Sequence, residues 1–199
     1  MVATKDGTVV TVNGVALTPT LQAGEMTSFD IEDFHYIESN QDIYVYQFSS
    51  VQYELGSALV PSINCTGSTS VSFSRIYDAM FAVQIMTQKK NLTNFNMTPS
   101  NLLSNLTWNW VEGSGSENED DTWYAAIVSM NPSTNTVYTI TNGGLFHLSV
   151  LDANGSSMSY GYFSSFNNLR IDGPTMGCVG EDIILSTDQS PDSLTWYYD

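Results

Sequence analysis

The sequence predicts an all-β fold: an antiparallel β-sandwich built from two related strand units, with a partial immunoglobulin-like module at the C-terminus. Three observations carry this. Runs of β-branched and aromatic residues alternate with polar ones along most of the 199 residues, the period of two expected of half-buried strands. Gly, Asn and Asp pairs punctuate those runs at short intervals. The segment MTSFDIEDFHYIESNQDIYVYQFSS (Met26–Ser50) is echoed by NGGLFHLSVLDANGSSMSYGYFSSF (Asn142–Phe166), and both contain the tripeptide Phe-Ser-Ser, at Phe48–Ser50 and Phe163–Ser165. A recurring order of strand, polar turn and aromatic strand marks two copies of one β unit, placed at about 8–75 and 92–166.

Taken in order, Thr8–Val12 alternates and runs into Asn13-Gly14, the strongest short hairpin signal, with Val15–Leu17 as the return strand. Gln22–Glu25 makes the next turn, then Thr27–Ile31 and Ile43–Phe48 alternate. Val71–Phe73 and Phe81–Met86 follow. Ile76, Met80 and Val83 also fit helical spacing, but no N-cap precedes them and their flanks are strand-like, so Phe81–Met86 reads as a strand. Thr98-Pro99-Ser100 predicts a short helical turn to about Leu103, with Thr as N-cap and Pro at the first position. Thr107–Val111 is expected to be a strand with Trp108 and Trp110 on one face. Glu112–Asp121 reads as a loop. Strands are expected again at Trp123–Met130, Thr136–Thr141, Phe146–Leu151 and Ser157–Phe163, with Asp152–Gly155 turning the last pair.

The charge balance excludes several functions. Only 13% of residues are charged, about half the usual share, yet 21 acids against 5 bases leave a net −16. Five basic residues cannot neutralise a useful number of phosphates, so nucleic acid is excluded as a partner. No apolar run approaches the length of a membrane span, so membrane insertion is not expected either. The first residues, MVATKDGTVVTV, lack the apolar core of a signal peptide, and the chain reads as a mature or excised piece of something longer. Cys65 and Cys178 are the disulfide candidates; a bridge between them and two unpaired thiols remain equal alternatives. His35 and His147 lie far from both cysteines, without zinc-ligand spacing.

No constellation of catalytic residues stands out. His147 sits between Phe146 and Leu148, and His35 between Phe34 and Tyr36, as packed or strand-edge histidines do. No nucleophile elbow, phosphate-binding loop or dinucleotide fingerprint is present. An enzyme is therefore not expected. Glu117, Glu119, Asp120 and Asp121 crowd one flexible loop and are the candidate metal ligands, for calcium if any ion; a solvated acidic tip is the plainer reading. Trp108, Trp110, Trp123 and Tyr124 flank that loop and are the candidate ligand-binding residues, since sugars bind on aromatic faces. Core packing is the favoured account, for these and for Tyr44, Tyr46, Tyr160 and Tyr162, because same-face aromatics on strands are usually buried. Sequons occur at Asn64, Asn91, Asn96, Asn105 and Asn154.

Four segments carry a family resemblance: VTVNGVALTPTLQAGEMTSFDI (Val10–Ile31), SNQDIYVYQFSS (Ser39–Ser50), ALVPSINCTGSTSVSFSR (Ala58–Arg75) and FHLSVLDANGSSMSYGYFSSF (Phe146–Phe166). In order and spacing they resemble the N-terminal domain of the IgGFc-binding protein family, as a bacterial cell-surface member. The tail GCVGEDIILS…LTWYYD resembles the start of an immunoglobulin-like or PKD-like module of bacterial surface proteins. The expected division is 1–173 for the first domain and 174–199 for the second. The resemblance implies a non-enzymatic, extracellular or cell-surface adhesion or binding module of a large secreted protein. Its partners would be neighbouring domains of the same polypeptide and a surface glycan or protein ligand, with no cofactor except, if any, calcium. A filament or spacer subunit assembled by strand pairing, with Thr8–Val12 as a free edge, and a glycan-active enzyme are the alternatives.

Overall fold

Asn13 and Gly14 both take positive φ, 51° and 78°, as a two-residue type I′ turn requires. In the computed structural model, which describes residues 1–51, 54–63, 66–103, 106–154, 157–162, 171–172 and 186–187, this turn joins β2 to β3. The N-terminal strands are β1 (Val2–Ala3), β2 (Val10–Val12), β3 (Val15–Ala16), β4 (Ile37–Ser39), β5 (Ile43–Val51) and β6 (Glu54–Val60). They form two three-stranded sheets, β3-β2-β4 and β1-β5-β6. Ala3, Val10 and Leu21 make a small core, with Ile37 and Ile43 packed against it.

The larger sheet follows from the alternation of β7 (Ser68–Ser74) and β8 (Met80–Gln88). In β8 Phe81, Val83, Ile85 and Thr87 are buried and their neighbours are not, so the strand expectation holds over the helical spacing. A single 3₁₀ turn (Lys89–Asn91) leads to β9 (Asn96–Thr98), β10 (Asn109–Trp110), β11 (Trp123–Ser129), β12 (Val137–Asn154) and β13 (Ser157–Tyr162). A small antiparallel pair, β14 (Ile171–Asp172) and β15 (Ser186–Thr187), stands apart. The order of the main sheet is β10-β11-β8-β12-β13.

One strand organises this region. The first part of β12, residues 137–141, pairs with β7 on one side and β9 on the other. Its second part, from Phe146 on, pairs with β8 and β13. Register shifts between Thr141 and Phe146, where Asn142-Gly143-Gly144-Leu145 provides the bulge. Both halves deliver apolar side chains to one core: Tyr138 and Ile140 from the first, Phe146, Leu148 and Val150 from the second, against Phe73, Phe81, Val83, Ile85 and Met97. Phe73 stacks on both Phe81 and Tyr138, with ring centroids 5.7 and 6.1 Å apart. Each fully buried aliphatic or aromatic side chain here contributes about 1.5–3 kcal/mol. The arrangement is an antiparallel, sandwich-like all-β fold, as the alternation predicts.

Several local expectations are corrected. Thr27–Ile31 is not a strand; Thr27 instead exchanges hydrogen bonds with the Met1 terminus, N-to-O at 3.1 Å and from the ammonium at 2.8 Å. The helical turn after Thr98 does not form, because Thr98 ends β9 opposite Thr139, and Met97 and Leu103 are both drawn into the core. A lone turn cannot compete with that burial. Thr136–Thr141 and Phe146–Leu151 are one continuous strand. Asp152, Ala153 and Asn154 belong to its end and not to a turn. Thr8–Val12 is no free edge: β2 lies between β3 and β4, and Thr8 and Leu21 exchange two backbone bonds of 2.9 Å.

The two echoing segments are used differently. Met26–Ser50 supplies β4 and β5, which pair with separate partners. Asn142–Phe166 supplies the second half of β12 and β13, which pair with each other. Cys65, Cys178, Phe163–Ser165 and the tail residues Ile183, Leu185 and Trp196 lie outside the described residues, as do the side chains of Tyr160 and Tyr162.

Candidate functional site

The acidic loop is held down by two lysines. Lys89 Nζ donates to the Glu117 carbonyl at 3.3 Å, Lys90 Nζ pairs with the Asp121 carboxylate, and the Lys90 N–H donates to the Asp120 carbonyl at 3.1 Å. At its start Gly113 (φ 84°) lies so close to the hairpin turn that a Cβ would stand 2.8 Å from Asn13 Cα. Among the described residues no three His, Cys, Asp or Glu side chains form a group able to hold a metal. Glu117, Glu119, Asp120 and Asp121 are thus neighbours in sequence without converging on one point.

The four candidate aromatics divide. Trp108 is half-buried and packs on Phe95, centroids 5.4 Å apart, at the margin of the main core. Trp123 is half-buried against His147, centroids 5.6 Å apart. Trp110 and Tyr124 face each other across β10 and β11, and the Tyr124 hydroxyl donates to the Glu117 carbonyl at 3.0 Å. Adjacent strand residues point to opposite faces, so Trp123 and Tyr124 cannot line one groove.

Buried polar groups serve the framework. The His147 imidazole is 3% exposed; burial pushes its pKa down to about 4, against a backbone hydrogen bond with Ile63 that acts the other way. Ser149, on the same face, donates to Gln84 Oε1 at 2.8 Å, so this serine and histidine are not arranged as nucleophile and base. Asp152, also 3% exposed, accepts from the Ile76 N–H at 2.6 Å and the Tyr77 N–H at 3.2 Å. Arg75 is buried, its guanidinium donating to Asn131 and, at 2.9 Å, to the Pro132 carbonyl.

A cleft of about 540 Å³ separates the N-terminal strands from β8, lined by Tyr36, Glu38, Asp42, Val45, Val60 and Met86. Burial, and then the Glu38 carboxylate, hold the Tyr36 phenol above its ordinary range. Beyond Met86 a cavity of about 80 Å³ reaches Phe34, Gln84, His147 and Ser149.

The opposite face of the β1-β5-β6 sheet is open and apolar. Tyr44 and Tyr46 are 57% and 51% exposed and Phe48 64%, so the core packing expected of these tyrosines is not found. The reason is tertiary. Ile43 packs on the small core and Val45 and Val60 line the cleft, which uses the one covered face of the sheet. Leu55, Leu59 and Met26, none of them singled out by sequence, share the exposed side. Their signal was available in the register of Tyr46 against Leu59, had the pairing been known.

No helix among the described residues is long and apolar enough to cross a membrane. No curated protein and no solved structure matches the chain. A family model does: the one described as IgGFc binding protein matches residues 1–151, from the first residue to the second half of β12. That span takes in both N-terminal sheets, the acidic loop and most of the main core. The chain belongs to the IgGFc-binding protein family.

Proposed function

We propose that this chain is a non-enzymatic extracellular binding module, serving adhesion in a large secreted cell-surface protein. The family match over residues 1–151 carries the reading, because the family is described by what it binds and not by a reaction. The fate of the buried polar groups supports it: Ser149 and Asp152 are committed to Gln84 and to the Ile76 and Tyr77 amides. The ligand class is protein. The family's description names the Fc part of immunoglobulin G, and Fc is one ligand among several to be tried here.

The experiment is biolayer interferometry of the full chain against immobilised Fc, mucin, fibronectin and collagen, alongside turnover assays on neutral and anionic glycans. Saturable binding to at least one protein, with no glycan cleaved, is expected. Glycan hydrolysis without protein binding would overturn the reading.

A further inference from the structure

We propose that the open face of the β1-β5-β6 sheet is the docking surface, and that its occupant is a cationic protein. The inference rests on the protein-binding reading above and names the partner class. In an antiparallel sheet directly opposed residues point to the same side. Val2 is opposed by both Tyr44 and Met26, Tyr46 by Leu59, and Ser50 by Leu55. Period two along β5 adds Phe48 to that side. One continuous face therefore presents Met26 (75% exposed), Tyr44, Tyr46, Phe48, Leu55 (66%) and Leu59. Single exposed apolar residues are ordinary on protein surfaces, but contiguous sets mark interaction sites. Tyr, Phe and Met are also the residue types enriched at interfaces.

Charge selects the partner. Residues 1–63 hold eight acids against Lys5 alone, a net of −7. Asp42, just before β5 at the edge of this sheet, has a side chain 87% exposed and pairs with Lys5, the one base among them, at 3.8 Å. A second copy of this chain would bring another −16 to the contact, and an anionic membrane surface would be repelled likewise. A protein with basic residues around an apolar or aromatic anchor meets no such cost and is steered in by the field.

The test selects phage-displayed random peptides on the immobilised full chain and measures each selected peptide against wild type, Tyr46→Ser, Phe48→Ser and the control Ile76→Ser. Ile76 is equally exposed, at 66%, but lies elsewhere. The expected peptides combine Lys or Arg with aromatic or aliphatic anchors. They lose at least about thirtyfold in affinity on either face variant, the size of an interface hot spot, keep it on the control, and weaken from about 0.05 to about 0.5 M salt. Thermal unfolding checks that the variants stay folded. Peptides without basic residues, equal binding to wild type and both face variants, Phe48-dependent dimerisation, or Phe48-dependent binding to phosphatidylserine vesicles would each overturn the proposal. If a protein ligand of the chain binds the face variants undiminished, the binding module survives and only this location falls.

Discussion

Gly144 and Asn91 compete for one place: a Cβ on Gly144 would stand 2.1 Å from the Asn91 Oδ1. The contact joins the bulge of β12 to the 3₁₀ turn. It is reinforced by Asn142, whose amide donates to the carbonyls of Asn91 (3.1 Å) and Thr93 (2.8 Å) and accepts from the Gly144 N–H at 2.8 Å. Gly144→Ala should therefore cost about 1–3 kcal/mol, the usual range for overpacking. Asn91→Ala should cancel most of that cost in the double variant, since neighbours in contact couple. Urea unfolding of the four proteins of the cycle measures it, and strict additivity would refute the contact.

Gly113 tests the same idea against backbone. There the atoms in the way are Asn13 Cα and C, at 2.8 and 2.9 Å, and φ is +84°. No side chain can swing aside, so Gly113→Ala should be costlier than Gly144→Ala. The loss should exceed about 2 kcal/mol, from the left-handed strain and the clash together. Because the loop leans on the hairpin turn, proton chemical shifts of Asn13 and Gly14 should move. Unchanged shifts with an unchanged melting temperature would contradict the packing.

His147 predicts a pH dependence. Its folded value, about 4, lies below the 6.5 of the unfolded chain, so the unfolded state binds the proton first. Stability is then fully present above about pH 6.5 and falls as pH drops toward 4. The loss approaches about 3 kcal/mol at 1.4 kcal/mol per pH unit. His147→Gln removes this ionisation and leaves the carboxylates in place. The difference in unfolding free energy between wild type and variant should therefore slope with pH in that window and flatten above it.

Asp152 ties the end of β12 to the segment after β7. Asp152→Ala leaves the Ile76 and Tyr77 amides without their acceptor. It should destabilise by about 1.5–3 kcal/mol, the range for hydrogen bonds to a charged group. Asp152→Asn, which keeps one acceptor oxygen, should recover part of the loss. Amide exchange at Ile76 and Tyr77 reports it directly; protection unaffected by Asp152→Ala would rule the bonds out.

What the sequence discloses divides along physical lines. The Asn13-Gly14 turn and the alternation of Phe81, Val83 and Ile85 depend on a few adjacent residues, and both are found as read. Thr98-Pro99 has the chemistry of a helix start, but Met97 and Leu103 are worth more in the core than a helical turn is alone. Asp152-Ala153-Asn154-Gly155 looks like a turn, and the carboxylate is instead an acceptor for the segment after β7, 76 residues away in sequence. The open apolar face of the β1-β5-β6 sheet was hidden for another reason. Tyr44 and Ile43 are equally strand-like, and only the packing of Ile43 on the small core, with Val45 and Val60 along the cleft, decides which side is covered.

The double membership of β12 has a mechanical consequence. Under a pulling force, strands held by separate partners can be peeled away one set at a time. Here residues 137–141 and 146–153 are one rope, tied first to β7 and β9 and then to β8 and β13, so neither set of partners can come away without loosening the strand that holds the other. Amides of Ile140 and Leu148, in opposite halves of that strand, should exchange with solvent at the same free energy, as members of a single opening unit. Under load the region should fail in one step.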